Sequence, residues 1–411
     1  MSADDYSQLP AQERIQYLNT QVAKNPNNVE IKKELYREYL NVEMRPQAVR
    51  VMEDILRLDP NDADVLFEYG ELQYAQGNSK EAYQAFLSVM QGASASRYQS
   101  RIAEYVASGY GMQQVTFSSE DEAFPSFSLD GRKLLYQKKV GGNWDIVEYD
   151  LSARSEKTLV STPADEESPV YSPVEAKIVY TTNADDRRPI DVAYKVREIV
   201  SRSLSDGFVS TLTQTVADDW LPRYSHDGAY IVFVSDRSDL RKVSYDAKQS
   251  DIFIMESGGA FQRQLTNSPA NEGGACFSAD DKRILFHSDR NGQYDIFEMR
   301  ADGKQVMTII DNPNGNDVNP FASVDGQYLA FVSDRDGNFE IYRARSDGSQ
   351  QERLTFDPGV DANPVFSPDG KSIAFHSNRN GNYNIFLINL STSSGVLTSS
   401  DLISRLSDLA K

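Results

Sequence analysis

A short phrase recurs six times in the second part of the chain, and no other feature constrains the fold as strongly. One copy reads Pro-Arg-Tyr-Ser at residues 222–225, and another reads Pro-Val-Phe-Ser at residues 364–367. Adjacent copies begin 44, 53, 53, 45 and 44 residues apart. The six copies begin at Pro125, Pro169, Pro222, Ala275, Pro320 and Pro364. Self-similarity at a period near 45 residues is the signature of a repeat architecture such as a propeller.

Each repeat contains four strand-like segments. The phrase leads into an apolar segment such as residues 284–286, a tight turn containing glycine follows, and two further segments complete the unit. One four-stranded sheet cannot bury both of its faces, whereas radial stacking of six sheets covers them. The sequence therefore predicts a six-bladed, four-stranded β-propeller over residues 113–398. We also expect residues 114–116 to pair with blade 6 and close the ring.

The motifs in these units resemble those of the TolB-like propeller family. Ser-Pro-Asp-Gly at residues 367–370 and Ser-Asp-Arg-Asn-Gly at residues 288–292, followed by Asp-Ile-Phe at 295–297, carry the resemblance. Blade 1 departs from the pattern at Lys139, and blade 2 departs at residues 174–175. The resemblance implies a place in the bacterial envelope, where TolB works. TolB has an α/β domain ahead of its propeller, so its specific role is not carried over.

The first 112 residues carry a second repeat, of helical type. Asn-Pro-Asn-Asn at residues 25–28 recurs as Asp-Pro-Asn-Asp at 59–62, and the two prolines lie 34 residues apart. Proline cannot continue a helix, so a helix ends before each turn, and Asp62 and Ser79 are the predicted N-caps. Helices are predicted near residues 10–24, 28–41, 46–58, 62–75, 79–90 and 94–107. The spacing resembles about three tetratricopeptide repeats, a family that binds peptides or helices on its concave face.

The last residues, 399–411, predict a short amphipathic helix. Leu402, Leu406 and Leu409 share one face, and Ser400 is the predicted cap. We expect this face to pack back onto the protein rather than to bind a partner. The predicted fold class is therefore a multidomain protein, with α-helical tetratricopeptide repeats followed by an all-β propeller and this helix.

Composition narrows the choice of partners and compartment. The formal net charge is −19, which disfavours binding to nucleic-acid phosphates. No apolar run reaches the roughly 18 residues of a membrane span, and the acidic N-terminus does not read as a signal peptide. We therefore expect a periplasmic or envelope-associated protein if a leader is missing from this numbering, and a cytoplasmic one otherwise. Cys276 is the single cysteine, so no intramolecular disulfide is expected.

The sequence offers no recognisable catalytic set. His287 and His376 occupy a register where other blades carry valine, so both are interpreted as packing residues, and His226 lies in a turn. The turn at residues 334–338 resembles a calcium loop briefly, but its twelfth position is Arg345 instead of glutamate. We expect no catalytic residue, no metal and no cofactor, and hence no enzyme.

A carboxylate precedes every phrase by three residues. These connections surround one mouth of the channel, and six like charges there focus a negative potential. Either the carboxylates bind a cation or a basic peptide segment of a partner, or they brace their turns by accepting backbone hydrogen bonds. The six are Glu122, Glu166, Asp219, Glu272, Asp317 and Asp361.

Two neighbouring blades carry long loops between their second and third strands, at residues 183–198 and 236–251. Both loops are rich in basic residues, and long loops on a rigid scaffold often carry function. The alternatives are neutral loop growth or contacts within the protein. The candidate partner-binding residues are Arg187, Arg188, Arg197, Arg241 and Lys242.

The predicted function is a non-enzymatic protein–protein interaction scaffold, part of a bacterial envelope or secretion-associated assembly. A protein partner, through a peptide segment, is expected at the propeller mouth. One alternative is a propeller that senses a small ligand, glycan or cation, and a further one is a divergent hydrolase.

Overall fold

The computed structural model describes residues 9–76, 78–106, 109–190, 195–243, 247–357, 359–393 and 398–410. The chain divides into two compact units: Met1–Ala107 together with Val396–Lys411, and Ser108–Gly395. We call them the helical unit and the propeller. The boundary therefore lies after residue 107 instead of 112, and the C-terminal segment belongs to the helical unit instead of standing alone.

The helical unit agrees with the predicted helices to within about one residue, a margin inside the usual uncertainty of helix ends. Six helices precede the propeller in the described residues. They are α1 (Ala11–Lys24), α2 (Val29–Asn41), α3 (Arg45–Leu58), α4 (Ala63–Ala75), α5 (Ser79–Gln91) and α6 (Ala95–Val106). Their arrangement is compatible with tetratricopeptide-like repeats.

Local chemistry explains the helix starts and one close helix packing. Asp62 caps α4, because its side chain accepts the Val65 amide at 3.2 Å. The predicted cap Ser79 is instead the first residue of α5, after Asn78. At Gly70 in α4, a Cβ atom would lie 2.5 Å from Cε1 of Phe86. Only glycine allows α4 and α5 to approach so closely.

The seventh helix, α7 (Ser399–Leu409), packs into the helical unit as expected. Leu402 and Leu406 are fully buried in the core that contains Phe86. The predicted cap Ser400 is wrong by two residues, because Thr398 forms a reciprocal capping box with Asp401.

The propeller consists of six four-stranded sheets, as predicted. Blade 1 contains β2 (Glu122–Phe127), β3 (Lys133–Val140), β4 (Asn143–Asp150) and β5 (Ser155–Val160). Blade 2 contains β6 (Glu166–Tyr171), β7 (Lys177–Thr182), β8 (Glu198–Ser203) and β9 (Val209–Thr211). Blade 3 contains β10 (Asp219–Tyr224), β11 (Tyr230–Ser235), β12 (Asp251–Glu256) and β13 (Arg263–Gln264).

The remaining blades repeat this order, and the last one borrows a strand. Blade 4 contains β14 (Glu272–Phe277), β15 (Arg283–Ser288), β16 (Asp295–Arg300) and β17 (Met307–Ile310). Blade 5 contains β18 (Asp317–Ala322), β19 (Tyr328–Ser333), β20 (Glu340–Arg345) and β21 (Glu352–Arg353). Blade 6 contains β22 (Asp361–Phe366), β23 (Ser372–Ser377), β24 (Asn384–Ser393) and β1 (Tyr110–Gln114).

The ring closes through β1, which pairs antiparallel with β24. Gln114 lies opposite Phe386, and the Val115 amide donates to the Ile385 carbonyl at 2.8 Å. The predicted closure between the first strand and blade 6 is confirmed. The strand itself ends at residue 114, where the sequence predicts it to begin.

Every innermost strand contains the same irregularity. The pairing register shifts after the second residue, and the third residue takes a left-handed conformation with φ between 51° and 58°. These β-bulges turn the backbone beside the channel. The bulge residues are Phe124, Ser168, Leu221, Gly274, Asn319 and Asn363.

Candidate functional site

The innermost strands place two sets of residues at opposite ends of the channel. In blade 3, Asp219 is the first residue of β10, and Arg223 and Tyr224 are the last two. The other blades have the same order. The predicted carboxylates therefore lie at one mouth, and the phrase that identified the repeats lies at the other.

The six predicted carboxylates stand at the inter-blade connections, as expected, but they do not face solvent. Each is at most 1% exposed, so the expectation of a negative surface at this mouth is wrong. Four pair with arginine and Glu122 pairs with Lys138 at 3.0 Å. The arginine pairs are Asp219–Arg237 (2.6 Å), Glu272–Arg290, Asp317–Arg335 (2.8 Å) and Asp361–Arg379 (2.7 Å). Partner binding by these residues stays a prediction. The alternative, a carboxylate that braces its turn by accepting a backbone amide, is seen at Glu166, whereas the other five pair with basic side chains.

The Ser-Asp-Arg motif supplies the other half of this brace. In blade 5, Arg335 donates to Ser333 Oγ at 2.8 Å and to Asp317, and it lies over the rings of Phe331 and Tyr342. The motif's Asp334 accepts the Asn316 amide at 2.6 Å, directly before β18, the innermost strand of the same blade. In blades 3 to 6 the motif, or its Ser-Asn-Arg variant in blade 6, therefore holds a charged side chain and a backbone connection together.

Glu166 in blade 2 is the exception, because blade 2 has no arginine in this position. Its carboxylate accepts hydrogen bonds from the hydroxyl and the amide of Thr162, the latter at 3.3 Å. Burial raises the pKa of Glu166 to about 7, against an ordinary value of 4.5, and the nearby charges of Asp145 and Asp165 add to the rise.

Each of the two long loops is held by the same kind of internal contact, an aspartate that accepts hydrogen bonds from an arginine two residues later and from a backbone amide further along the loop. Asp186 accepts from the backbone and guanidinium of Arg188 and from the Val196 amide at 2.9 Å. In the next blade, Asp239 accepts from Arg241 in the same way and from the Gln249 amide at 2.8 Å. The arginine partners hold the pKa of both carboxyl groups well below its usual range. Arg188 and Arg241 therefore stabilise their own loops.

Arg197 also has an intramolecular role, because it contacts Asp218 at 2.7 Å and Glu167 at 3.2 Å. Arg187 and Lys242 are exposed, and no ion pair joins either to another described residue. Of the five predicted basic residues, these two are available on the surface. Their binding of a partner stays a prediction.

His287 and His376 do more than fill space. The Nδ1 atom of His287 accepts the Asn319 amide of the next blade at 3.2 Å, and His376 accepts the Phe124 amide at 3.3 Å. Desolvation lowers the pKa of His287 to about 4 and that of His376 to about 3, so both rings are neutral acceptors. Gln137 accepts the Ser168 amide in the same way at 2.9 Å. These contacts join adjacent blades at their bulges.

The opposite mouth opens into a cavity of about 440 Å³, which we call the apolar basin. It is lined by the ends of the innermost strands, with aromatic side chains including Phe127, Phe277 and Phe366. Leu129 and Val324 stand at its edge and are 68% and 46% exposed. The basin is defined by six equivalent positions: Ser126, Val170, Arg223, Cys276, Phe321 and Val365.

Arg223 is the charged member of that set of six. Its guanidinium carbon lies 5.6 Å from the ring centroid of Phe321, two blades away. Among the described residues, no carboxylate oxygen lies within 4.0 Å of its guanidinium. Desolvation lowers the pKa of Arg223 to about 10, so it is still a cation at neutral pH. Sequence reasoning missed this residue, although one charge in a column of small and apolar residues was a readable signal.

The channel narrows beyond Arg223. A space of only about 20 Å³ lies there, lined by Leu221, Asn319 and Asn363 among others. The Asn319 side chain donates to Asn363 at 2.9 Å across adjacent blades. The space on this side of Arg223 is therefore far smaller than the basin.

Comparisons with known proteins match the propeller. Residues 303–404 match the family described as TolB beta propeller domain. The Tol-Pal system protein TolB of Wolinella succinogenes is 33% identical over 76 residues, which are 18% of this chain. The chain spans 18–22% of the length of the curated relatives that it matches.

Two solved structures share the propeller fold. A protein assigned as TolB from Agrobacterium tumefaciens is 20% identical with a TM-score of 0.51, covering 67% of this chain and 92% of that one. A gluconolactonase from Xanthomonas campestris is 15% identical with a TM-score of 0.52, covering 71% and 92%. At these identities the likeness concerns the fold alone.

Fold and repeats together define the class of this protein: a six-bladed β-propeller combined with a helical unit. The propeller resembles the TolB-like type in its motifs, and residues 303–404 match the TolB beta propeller domain.

The described residues contain no group of three or more His, Cys, Asp or Glu residues placed to hold a metal ion. They also contain no helix long and apolar enough to cross a bilayer. Cys276 is a buried free thiol, and desolvation raises its pKa to about 11.

Proposed function

We propose that this protein is a non-enzymatic protein-interaction scaffold whose apolar basin binds a segment of a partner. The observation that carries the proposal is the basin itself, an open cavity of about 440 Å³ with exposed apolar side chains at its edge. Exposed apolar groups beside a concave site are typical of binding surfaces. The TolB-like fold is consistent with a protein-interaction role.

The apolar basin, and not the carboxylate mouth, is therefore the proposed binding site for the partner segment. The carboxylates are buried and engaged within their blades, so a basic segment would have to displace internal ion pairs to reach them. The basin requires no such rearrangement, because its apolar side chains already line an open cavity.

The finer proposal is a place in a bacterial envelope or secretion-associated assembly. It is supported by the similarity to a Tol-Pal system protein. Fractionation of native cells tests it: we expect the chain with envelope or periplasmic markers, and recovery with cytoplasmic markers alone would refute this placement.

Site-specific photo-crosslinking tests the proposed contact. The full chain would carry a photoreactive phenylalanine at Leu129, beside the basin, or at Phe261, which is 81% exposed but lies outside it. We expect a defined partner adduct from position 129 only, and its loss when Val324→Glu places a charge at the edge of the basin. Equal labelling at both positions, or labelling that survives Val324→Glu, would contradict the proposal.

The non-enzymatic part of the proposal needs its own assay. The purified chain is incubated with ester, lactone, peptide and oligosaccharide substrates, and we expect no turnover above that of Val324→Glu. Turnover that disappears in this variant would make the basin an active site.

A further inference from the structure

Arg223 differs from its equivalents in every other blade. The same position holds serine, valine, cysteine or phenylalanine elsewhere, and all six residues line the apolar basin. A long charged side chain is therefore presented at the floor of a cavity that is otherwise apolar or weakly polar.

The charge of Arg223 is not neutralised by the described residues. A desolvated cation is costly unless an anion or hydrogen-bond acceptors compensate it. Here the contact with the Phe321 ring supplies only part of this compensation. A ligand carboxylate entering the basin would complete it, because a guanidinium binds a carboxylate through two parallel hydrogen bonds.

The shape of the channel selects the part of a ligand that reaches Arg223. The space beyond the guanidinium is about 20 Å³, which is room for about one water molecule. A polypeptide cannot thread past this point, so a chain that enters the basin must end there. An N-terminus would bring a positive charge to Arg223, whereas a C-terminus brings a carboxylate.

The lining selects the side chains that precede the carboxylate. Phe127, Phe277, Phe321 and Phe366 present aromatic surface to the basin, and Leu129 extends it toward solvent. The volume of about 440 Å³ lies in the range of cavities that hold drug-sized ligands, enough for roughly the last three residues of a chain.

We propose that the apolar basin recognises a peptide C-terminus, with apolar final side chains against the aromatic lining and the α-carboxylate on the Arg223 guanidinium. This inference rests on the proposed function, because it names the kind of segment that the basin accepts.

The test uses the full chain and a combinatorial library of hexapeptides ending in Leu, Ile, Val or Phe. Each peptide is prepared with a free C-terminus and as its C-terminal amide, and a third set places an internal Asp or Glu ahead of an amide. Peptides retained on the immobilised chain are identified by mass spectrometry, and the tightest are measured by calorimetry. The variants are Arg223→Gln, Arg223→Lys and, as a matched control, Arg132→Gln, which removes an exposed arginine outside the basin.

We expect free C-termini to bind tenfold or more tightly than their amides, the difference expected for a charged hydrogen-bonded contact. Arg223→Gln should abolish that preference, Arg223→Lys should retain part of it, and Arg132→Gln should leave it unchanged. In the absence of peptide, Arg223→Gln should melt at or above the wild-type temperature, because it removes a desolvated charge. That result separates loss of binding from loss of folding.

The other outcomes overturn the inference in distinguishable ways. If acids and amides bind equally, and Val324→Glu abolishes both, the basin binds segments without reading a carboxylate. If internal Asp or Glu peptides depend on Arg223 as strongly as free C-termini do, the source of the carboxylate is a side chain. If no peptide binds, the proposed function fails together with this inference.

Discussion

Replacing Glu166 by glutamine should change how the stability of the propeller depends on pH. Burial raises the pKa of this carboxyl to about 7 from its ordinary 4.5, and no lysine or arginine of the described residues lies within 4.0 Å of it. The folded chain therefore holds a proton that the unfolded chain releases between these two pH values. The contribution of protonated Glu166 to the unfolding free energy is fully present below pH 4.5 and is lost as the pH rises through 7.

The size of the effect follows from the shift. One pKa unit corresponds to about 1.4 kcal/mol, so the full rise is worth up to roughly 3 kcal/mol of unfolding free energy. Glutamine resembles the protonated acid in shape and can still accept from Thr162. Glu166→Gln should match the wild type near pH 4.5 and exceed its stability at pH 8 by about 1–3 kcal/mol.

The same substitution in blade 4 is a matched control, for which we expect the opposite change in unfolding free energy. Glu272 is as buried as Glu166 but pairs with Arg290. Glu272→Gln leaves that guanidinium without its counter-charge and should cost about 2–4 kcal/mol at pH 8. One substitution stabilises and the other destabilises because only one carboxylate has a cation beside it.

Denaturant unfolding followed by tryptophan fluorescence measures both effects. The chain has two tryptophans, Trp144 and Trp220, and both lie in the propeller, so the signal reports that unit in the full chain. Free energies of unfolding are compared at pH 5, 6, 7 and 8. A Glu166→Gln difference that does not grow with pH, or a loss of stability at pH 8, would refute the reasoning.

Three further changes have expected outcomes. Gly70→Ala forces a methyl group against the Phe86 ring and should destabilise the helical unit by about 1–3 kcal/mol, measured by thermal melting of its far-UV circular dichroism. His376→Leu removes the acceptor of the Phe124 amide and should cost the propeller about 1–3 kcal/mol, whereas His376→Gln should restore most of it in the same fluorescence assay; equal losses would contradict a hydrogen-bonding role. Leu406→Ala leaves a cavity in the helical unit and should cost about 2–5 kcal/mol there with no change in tryptophan-reported unfolding; a change in both signals would contradict separate units.

The repeats make the fold readable from the sequence. Each phrase marks the end of an innermost strand, and its sixfold recurrence predicts the number of blades correctly. The helices are equally clear, because the prolines and the residues after them mark where each helix stops and starts. The predicted cap at Ser79 is misplaced because Asn78, Ser79 and their neighbours are all polar, so composition alone does not choose among them.

The site is less readable because its chemistry depends on pairs that are distant in sequence. Asp219 and Arg237 lie together only because the β10–β11 hairpin sets Asp219 opposite Ser235. The sequence displays both charges, but without that register the carboxylates resemble an exposed ring. Arg223 was missed for a different reason. Its charge is notable only when it is compared with the uncharged residues at the same position of the other five blades.

The division of the chain has a consequence for biosynthesis. Helices α1 to α6 and helix α7 belong to one unit, although the whole propeller is encoded between them. While the ribosome is still making the blades, the helical unit lacks Leu402 and Leu406, and part of its core is exposed. A premature stop near the C-terminus would thus damage the N-terminal unit first and spare the ring of blades.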